Sequence, residues 1–196
     1  MESIRAFIAV PASDEVRSLV KEVVGGLRWT GANVKWVEPE NVHFTVKFLG
    51  NISKEDAAKL GVALSEALRD DVRFDVAITK AGTFPGGTRA PRVVWLGLEE
   101  GFEDLKHIAG KVEEACAGLG FEREKRSFKA HLTIGRVRRG SRNLTDLAEA
   151  VAKVEFKPLK LSVDRVNLTR SRLSPRGPTY TVIESVALKD AKGGVG

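Results

Sequence analysis

Two of the three histidines in this 196-residue chain open the same short phrase, histidine–apolar–threonine–apolar. The copies read Val42-His-Phe-Thr-Val46 and Ala130-His-Leu-Thr-Ile134, and nearly half the chain separates them. Each copy alternates as a strand does and precedes a helix candidate, so the economical reading is a duplicated lobe carrying one copy each. In a strand, residues i and i+2 point to the same face. His43 therefore projects with Thr45, while Val42, Phe44, Val46 and Phe48 are expected in the core. His131 likewise projects with Thr133, opposite Leu132 and Ile134. If a pseudo-twofold axis relates the lobes, the two pairs face one another across a cleft.

The rest of the chain supplies matching elements. Residues 4–10, 42–49, 72–80, 93–98, 130–137, 161–168 and 180–188 read as strands, with 34–37 a short extended piece. Residues 13–25, 53–69, 101–118 and 144–154 read as helices, the second opened by a Ser53/Asp56 capping box and the third stopped by Gly120. The Gly- and Pro-rich segment 82–91 reads as a loop, 174–178 as a turn and 192–196 as a frayed tail. Interspersed strands and helices with short turns predict an α+β fold rather than a doubly wound parallel sheet. No phosphate-binding Gly-rich loop occurs, since 82–87 is neither G-x-G-x-x-G nor a Walker sequence. The length suits a single domain of two small lobes. At 42% apolar and 30% charged residues the composition is that of a soluble globular protein, not a collagen, a coiled coil or a disordered chain. The lone Cys116 can form neither an internal disulfide nor a zinc site and reads as a small helix residue, so the cytoplasm is the expected compartment. No apolar run approaches the length of a membrane span.

Paired imidazoles and hydroxyls suit phosphodiester hydrolysis by in-line attack. One imidazole serves as base on the nucleophile and the other as acid on the leaving oxygen, both near neutral pH. The hydroxyls and neighbouring cations hold the non-bridging oxygens as charge builds. Metal binding is the competing use of histidine, but it usually wants three or more ligands and neither phrase adds Asp, Glu or Cys. A structural role, with both pairs merely filling a core, is the other reading. The net charge of +6 favours polyanionic partners. Residues 121–143 concentrate it, with Arg123, Lys125, Arg126, Lys129, Arg136, Arg138, Arg139 and Arg142 against Glu122 and Glu124. Arg126 and Lys129 are candidate substrate-binding residues from this stretch, and a solvated basic loop is the alternative. Lys47 shares the parity of His43 and Thr45 and is expected in the same cleft. Arg136 has the parity of Leu132, so a bulge or strand end must re-aim it. His107 reads as a surface or packing residue. Trp36, Phe84 and Trp95 read as core, with Trp36 or Phe84 able to stack a base if exposed.

The sequence resembles the two-histidine (2H) phosphoesterase superfamily, and within it the RNA 2′,3′-cyclic phosphodiesterases, historically called 2′-5′ RNA ligases. The resemblance covers nearly the whole chain. It is carried by Arg5-Ala-Phe-Ile-Ala9, by Trp36 and Glu40 to Gly50, by Phe84-Pro85 and Pro91 to Gly97, by Phe128 to Arg136, and by Leu168 to Ser171 with Gly177 to Tyr180. It implies a bilobal, pseudo-symmetric (LigT-like) α+β fold, with two antiparallel sheets flanking a central cleft and helices outside. It implies hydrolysis of a terminal 2′,3′-cyclic phosphate of RNA to a 2′-phosphomonoester, with 2′-5′ ligation as the reverse, and without a metal or other cofactor. His43 would be the proton donor to the 3′ oxygen, His131 the acceptor that activates water, Thr45 and Thr133 the phosphate-binding hydroxyls, and Arg136 a nucleotide-binding residue. Many relatives carry proline before the second histidine where this chain has Ala130, which removes no chemistry. RNA ends or small cyclic-phosphate nucleotides are the expected partners, with no membrane and no obligate protein partner. A non-catalytic protein that binds RNA ends or nucleotides through the same cleft remains the alternative.

Overall fold

In the computed structural model, which describes residues 3–86, 90–175 and 177–190, the first two helices begin where serines cap them. Ser13 accepts the Val16 amide at the start of α1 (Asp14–Leu27), and Ser53 forms the expected capping box at the start of α2 (Lys54–Leu68). There the Ser53 hydroxyl accepts the Asp56 amide at 3.0 Å, and the Asp56 carboxylate accepts the Ser53 amide at 3.2 Å. The remaining helices are α3 (Phe102–Gly118) and α4 (Leu144–Ala152).

Nine strands form one strongly curled sheet: β1 (Ser3–Pro11), β2 (Val34–Trp36), β3 (His43–Ser53), β4 (Phe74–Phe84), β5 (Val93–Leu98), β6 (His131–Val137), β7 (Leu159–Val163), β8 (Arg165–Ser174) and β9 (Gly177–Ala187). Their order is β7-β4-β5-β6-β3-β1-β8-β9, with β2 also paired to β6, and every named pairing is antiparallel. The two sheets expected from the sequence are thus two four-stranded arms of one ladder. They meet between β3 and β6 at a single residue pair, Phe44 with Leu132. Helices α2 and α3 pack together over β3, β8 and β9, while α1 and α4 lie against β7 and β4. Phe44, Leu132, Ile8, Leu60, Leu64, Leu105 and Ile108 are fully buried in the one core beneath these helices. The opposite face of the sheet, at the seam, is the cleft.

Residues 161–168 are not one strand. β7 ends at Val163 and closes one arm on β4, whereas β8 starts at Arg165 and lies between β1 and β9 in the other. One residue, Asp164, links strands near opposite ends of the ladder, which only a sheet curled back on itself permits. Backbone hydrogen bonds close this curl, the Leu188 amide donating to the Asp164 carbonyl and the Lys189 amide to that of Asp71, both at 2.8 Å. The segment expected as a loop from residue 82 is strand as far as Phe84. Residues 87–89, Arg176 of the expected turn and the tail 192–196 lie outside the described residues. No helix among the described residues is long and apolar enough to cross a membrane.

Bulges decide which side chains reach the cleft. β1 pairs Ala9 with Thr45 but Ile8 with Lys47, leaving Val46 as an extra residue, and a second shift leaves Leu49 extra. β5 pairs Trp95 with Thr133 but Val94 with Gly135, leaving Ile134 extra. Val46 and Ile134 occupy the same place in the two phrases, each directly after its threonine. A bulge inverts the alternation beyond it. Past Val46, Lys47 therefore turns inward and Phe48 outward, the reverse of the sequence expectation. Past Ile134, Arg136 turns onto the cleft face, the re-aiming that its parity required.

Candidate active site

The Phe44–Leu132 pair places the central residues of both phrases side by side in an antiparallel ladder. His43 then lies across from Thr133 and His131 across from Thr45, all four on the face opposite the core. Both imidazoles and both hydroxyls therefore share one small patch, related by a local twofold axis through the seam.

Both rings are held the same way. His43 Nδ1 bonds the Asn41 carbonyl at 2.8 Å, and His131 Nδ1 bonds the Lys129 carbonyl at 2.7 Å. A carbonyl only accepts, so each Nδ1 carries the hydrogen and each Nε2 is left with a lone pair when the ring is neutral. Asn41 is itself fixed, in a short turn (Pro39–Asn41), by its side-chain amide donating to the Pro178 carbonyl at 3.0 Å. Phe7 stacks on His43 at 4.6 Å between centroids and Tyr180 meets it edge-on at 5.4 Å. Phe84 meets His131 edge-on at 5.2 Å. Each imidazole is thus locked in tautomer and orientation, as acid–base catalysis needs.

Burial is the largest influence on both histidines and pushes their pKa below the ordinary imidazole value; the carbonyl bonds oppose it. The Arg136 charge lowers both further, and so do the second imidazole at His43 and Lys129 at His131. Arg136 also acts on Tyr180, whose own pKa burial raises. The charge of one guanidinium therefore acts on both histidines and the tyrosine. Thr45 and Thr133 are half-buried, and neither hydroxyl is spent on a hydrogen bond within the described residues.

The other candidates lie elsewhere. Lys47 is 6% exposed, its ammonium donating to Glu113 of α3 at 2.7 Å and to the Glu122 carbonyl at 2.9 Å. The bulge at Val46 removes it from the cleft. Arg126 extends into solvent from the loop before β6 and pairs with Glu124 at 3.8 Å. Arg123 is held by Glu114 through two bonds of 2.6 and 2.7 Å, so the basic stretch is partly neutralised by its own neighbours. Lys129 does reach the site, through its carbonyl on His131 and its ammonium 5.4 Å over the Phe84 ring. His107 sits on the surface of α3 against Asp71. Cys116 is buried there, its thiol pushed up to about 11 by burial, which leaves it unreactive. Trp36 packs against the core, and Trp95, also expected there, faces the cleft beside Phe84.

Phe7, Asn41, Phe48 and Tyr180 belong to this site although their residue types announce no chemistry. Phe48 is 65% exposed on the cleft face, 6.5 Å from Phe7. A wider groove between α2 and β9, about 850 Å³, touches neither histidine. No group of three or more His, Cys, Asp or Glu among the described residues is placed to hold a metal ion.

Comparison with known proteins bears on the family and the fold. The model of the 2′-5′ RNA ligase superfamily matches residues 9–174. A protein of Methanothermobacter thermautotrophicus named RNA 2′,3′-cyclic phosphodiesterase is 38% identical over 184 residues, 92% of this chain and 97% of that protein. One of the same name from Aquifex aeolicus is 34% identical over 193 residues, 96% of this chain and 99% of its own. Among solved structures, a Thermus thermophilus protein superposes with a TM-score of 0.77 at 25% identity, covering 95% of this chain and 99% of that one. Escherichia coli LigT complexed with 3′-AMP superposes at 0.71 and 24% identity, covering 95% and 99%.

Proposed function

The chain belongs to the 2′-5′ RNA ligase superfamily, and we propose that it hydrolyses a terminal 2′,3′-cyclic phosphate of RNA to a 2′-phosphomonoester by two-histidine acid–base catalysis. The observation that carries this reading is the matched pair of carbonyl-clamped imidazoles, each with its Nε2 free and a hydroxyl from the opposite strand beside it.

The cyclic phosphate sits over the seam. His131 Nε2 takes a proton from water as it attacks phosphorus, and His43 Nε2 gives one to the departing 3′ oxygen on the far side. Thr45 and Thr133 donate to the non-bridging oxygens, with Arg136 balancing the charge that builds on them. The two histidines are not equivalent. Lys129 adds a second cation against protonated His131, which suits a base that must stay neutral. His43, enclosed by Phe7 and Tyr180, has to be charged before it can act as acid. A bound phosphate anion supplies that charge stabilisation, so substrate binding itself arms the acid. Phe48 offers a face on which the terminal base stacks beside His43. The residues used are imidazoles, hydroxyls and a guanidinium, and no step calls for a metal ion.

The test is a short oligoribonucleotide ending in a 2′,3′-cyclic phosphate, incubated with the protein in EDTA, the product read by mass and by the position of its phosphate. A 2′-phosphate is expected. Salt-dependent binding of the same RNA without turnover would replace this reading with that of a non-catalytic RNA-end binder. Turnover abolished by EDTA would mean that the histidines serve a metal.

A further inference from the structure

The cations of the basic stretch 121–143 fall into two groups. Before β6, Arg123, Lys125 and Arg126 are spent on Glu114, Glu122 and Glu124, and Lys129 stands over Phe84. From β6 onwards, Arg136, Arg138, Arg139 and Arg142 are all exposed, and none is in an ion pair among the described residues. A distant segment joins this second group. Arg28 and Lys35 are likewise exposed and unpaired, and residues 28–35 and 136–143 contain no Asp or Glu. The six charges of these two segments match the net charge of the entire chain, so the remainder of the molecule balances to zero.

Backbone bonds bring the two segments together. β2 sets Lys35 directly across from Arg136 on β6, so both side chains leave the sheet on the cleft face, opposite Trp36. Beyond the strands, the Arg138 amide donates to the Asn33 carbonyl at 2.9 Å and the Asn33 amide to the Ser141 hydroxyl at 2.7 Å. Asn143, left-handed at φ 57°, donates its side-chain amide to the Thr30 carbonyl at 2.9 Å. The loop is therefore tied down, and the ties hold like charges side by side. Like charges set across from one another destabilise a sheet, and no carboxylate among the described residues offsets them. Next to Thr30, Trp29 is 73% exposed, the most exposed large apolar side chain among the described residues, and it meets no other ring there.

The fold gains nothing from this crowding, whereas a polyanion would relieve it. The surface starts at the catalytic patch, because the charge of Arg136 acts on both histidines and Lys35 stands beside it. From there the loop leads away from the seam. We infer that this surface, from Lys35 through Arg138, Arg139 and Arg142 to Trp29, carries the single-stranded RNA upstream of the terminal nucleotide; the inference rests on the phosphodiesterase reading above. The cations meet successive phosphates, and the indole stacks an unpaired base. The substrate is then the end of a polynucleotide rather than a cyclic mononucleotide. Both present the reacting phosphate, but only the polynucleotide reaches the loop.

Two substrates separate the surface from the chemistry. One is cytidine 2′,3′-cyclic monophosphate; the other is an unstructured oligoribonucleotide of about ten residues with the same cyclic end, long enough to span a single-strand site. Both are turned over in EDTA across a salt series, and their kcat/KM values are compared. The wild type is expected to favour the oligonucleotide by about tenfold or more at low salt and to lose that preference as salt rises. Arg138→Ala, Arg139→Ala and Arg142→Ala combined are expected to flatten the dependence of log kcat/KM on log salt for the oligonucleotide by about 2, since each phosphate contact on a single strand contributes about 0.7. Trp29→Ala is expected to lower the oligonucleotide kcat/KM by about tenfold at unchanged slope, the loss of a stacked base. Mononucleotide turnover counts the active molecules in each preparation, so a misfolded variant loses both substrates together and leaves the preference unchanged. A wild type without preference, or a preference and slope unmoved in both variants, overturns the surface while hydrolysis stands. Variants that keep the RNA preference but lose binding to phosphatidylserine vesicles would give the surface to a membrane instead. Turnover of neither substrate by the wild type overturns the phosphodiesterase reading itself, and this inference with it.

Discussion

Lys47 and Glu113 give a sharp test of how the bulge at Val46 sorts side chains. The lysine side chain is 5% exposed and its ammonium has two protein acceptors, the Glu113 carboxylate and the Glu122 carbonyl. Glu113→Ala removes one acceptor and leaves a buried cation. Breaking a buried pair in this way costs about 3–5 kcal/mol. The low end applies here, because the Glu113 side chain is 21% exposed and water can reach the gap. Glu113 also accepts the Glu124 amide at 3.0 Å, so the same change loosens the loop leading towards His131. For a chain of this size about 3 kcal/mol corresponds to roughly 6–12 °C in Tm. Lys47→Met keeps most of the volume and leaves behind a Glu113 carboxylate that is 21% exposed and still accepts the Glu124 amide, so its cost should be under that of Glu113→Ala, which strands a cation 5% exposed. Thermal melts followed by circular dichroism measure both, and cyclic-phosphate turnover by Lys47→Met should stay within about threefold of wild type, as expected for a change away from the reacting groups. A Lys47→Met protein with unchanged Tm and turnover lowered more than tenfold would return Lys47 to the substrate. A Glu113→Ala protein that melts with the wild type would mean that the ammonium is solvated.

Three further predictions concern the chemistry. His43→Ala and His131→Ala should each lower turnover by about 10²–10⁴ without changing the circular dichroism spectrum, and a near-wild-type rate in either removes that histidine from its role. Thr45→Val and Thr133→Val should each cost about 10- to 1000-fold, read as kcat, if each hydroxyl meets a non-bridging oxygen as charge builds. The pH profile of kcat/KM should be bell-shaped with its maximum displaced below the ordinary imidazole value of about 6.5, because both histidines titrate low in the free protein. The profile of kcat should lie at higher pH, since the bound anion favours protonated His43; coincident profiles would refute this. The same depressed values mean that the unfolded chain binds more protons, so these histidines contribute stability that is complete above about pH 6.5 and lost as pH falls through their folded values.

The paired phrases made the centre of the site legible, because strand periodicity alone puts each histidine beside its threonine. That rule fails where an extra residue enters. Val46 and Ile134 are ordinary β-branched residues with no local mark of a bulge, which is why Lys47 and Phe48 end on the faces opposite to those their parity gave. Arg136 advertised the need for a bulge only because its charge had no place in the core. The carbonyl clamps are invisible in residue types, being backbone atoms of Asn41 and Lys129. Gly82 reads as loop for want of a side chain, yet it lies in a strand and leaves room for the Trp95 ring. Asp164 is a poor strand residue, and this was the one local sign that residues 161–168 divide between two strands.

The curl of the sheet has a consequence for how the protein moves. The arm carrying His43 is built from β1, β3, β8 and β9 under α2 and α3, and the arm carrying His131 from the intervening segments, so the chain passes repeatedly from one to the other. Neither half of the sequence encloses a core of its own. Enzymes made of two bodies on a flexible joint close over their substrate, and that motion often limits the rate. Here the imidazole spacing is a property of hydrogen-bonded strands, not of a joint. On the proposed mechanism the catalytic geometry therefore exists before RNA arrives, and the two arms, which share one core, should melt together in one cooperative transition.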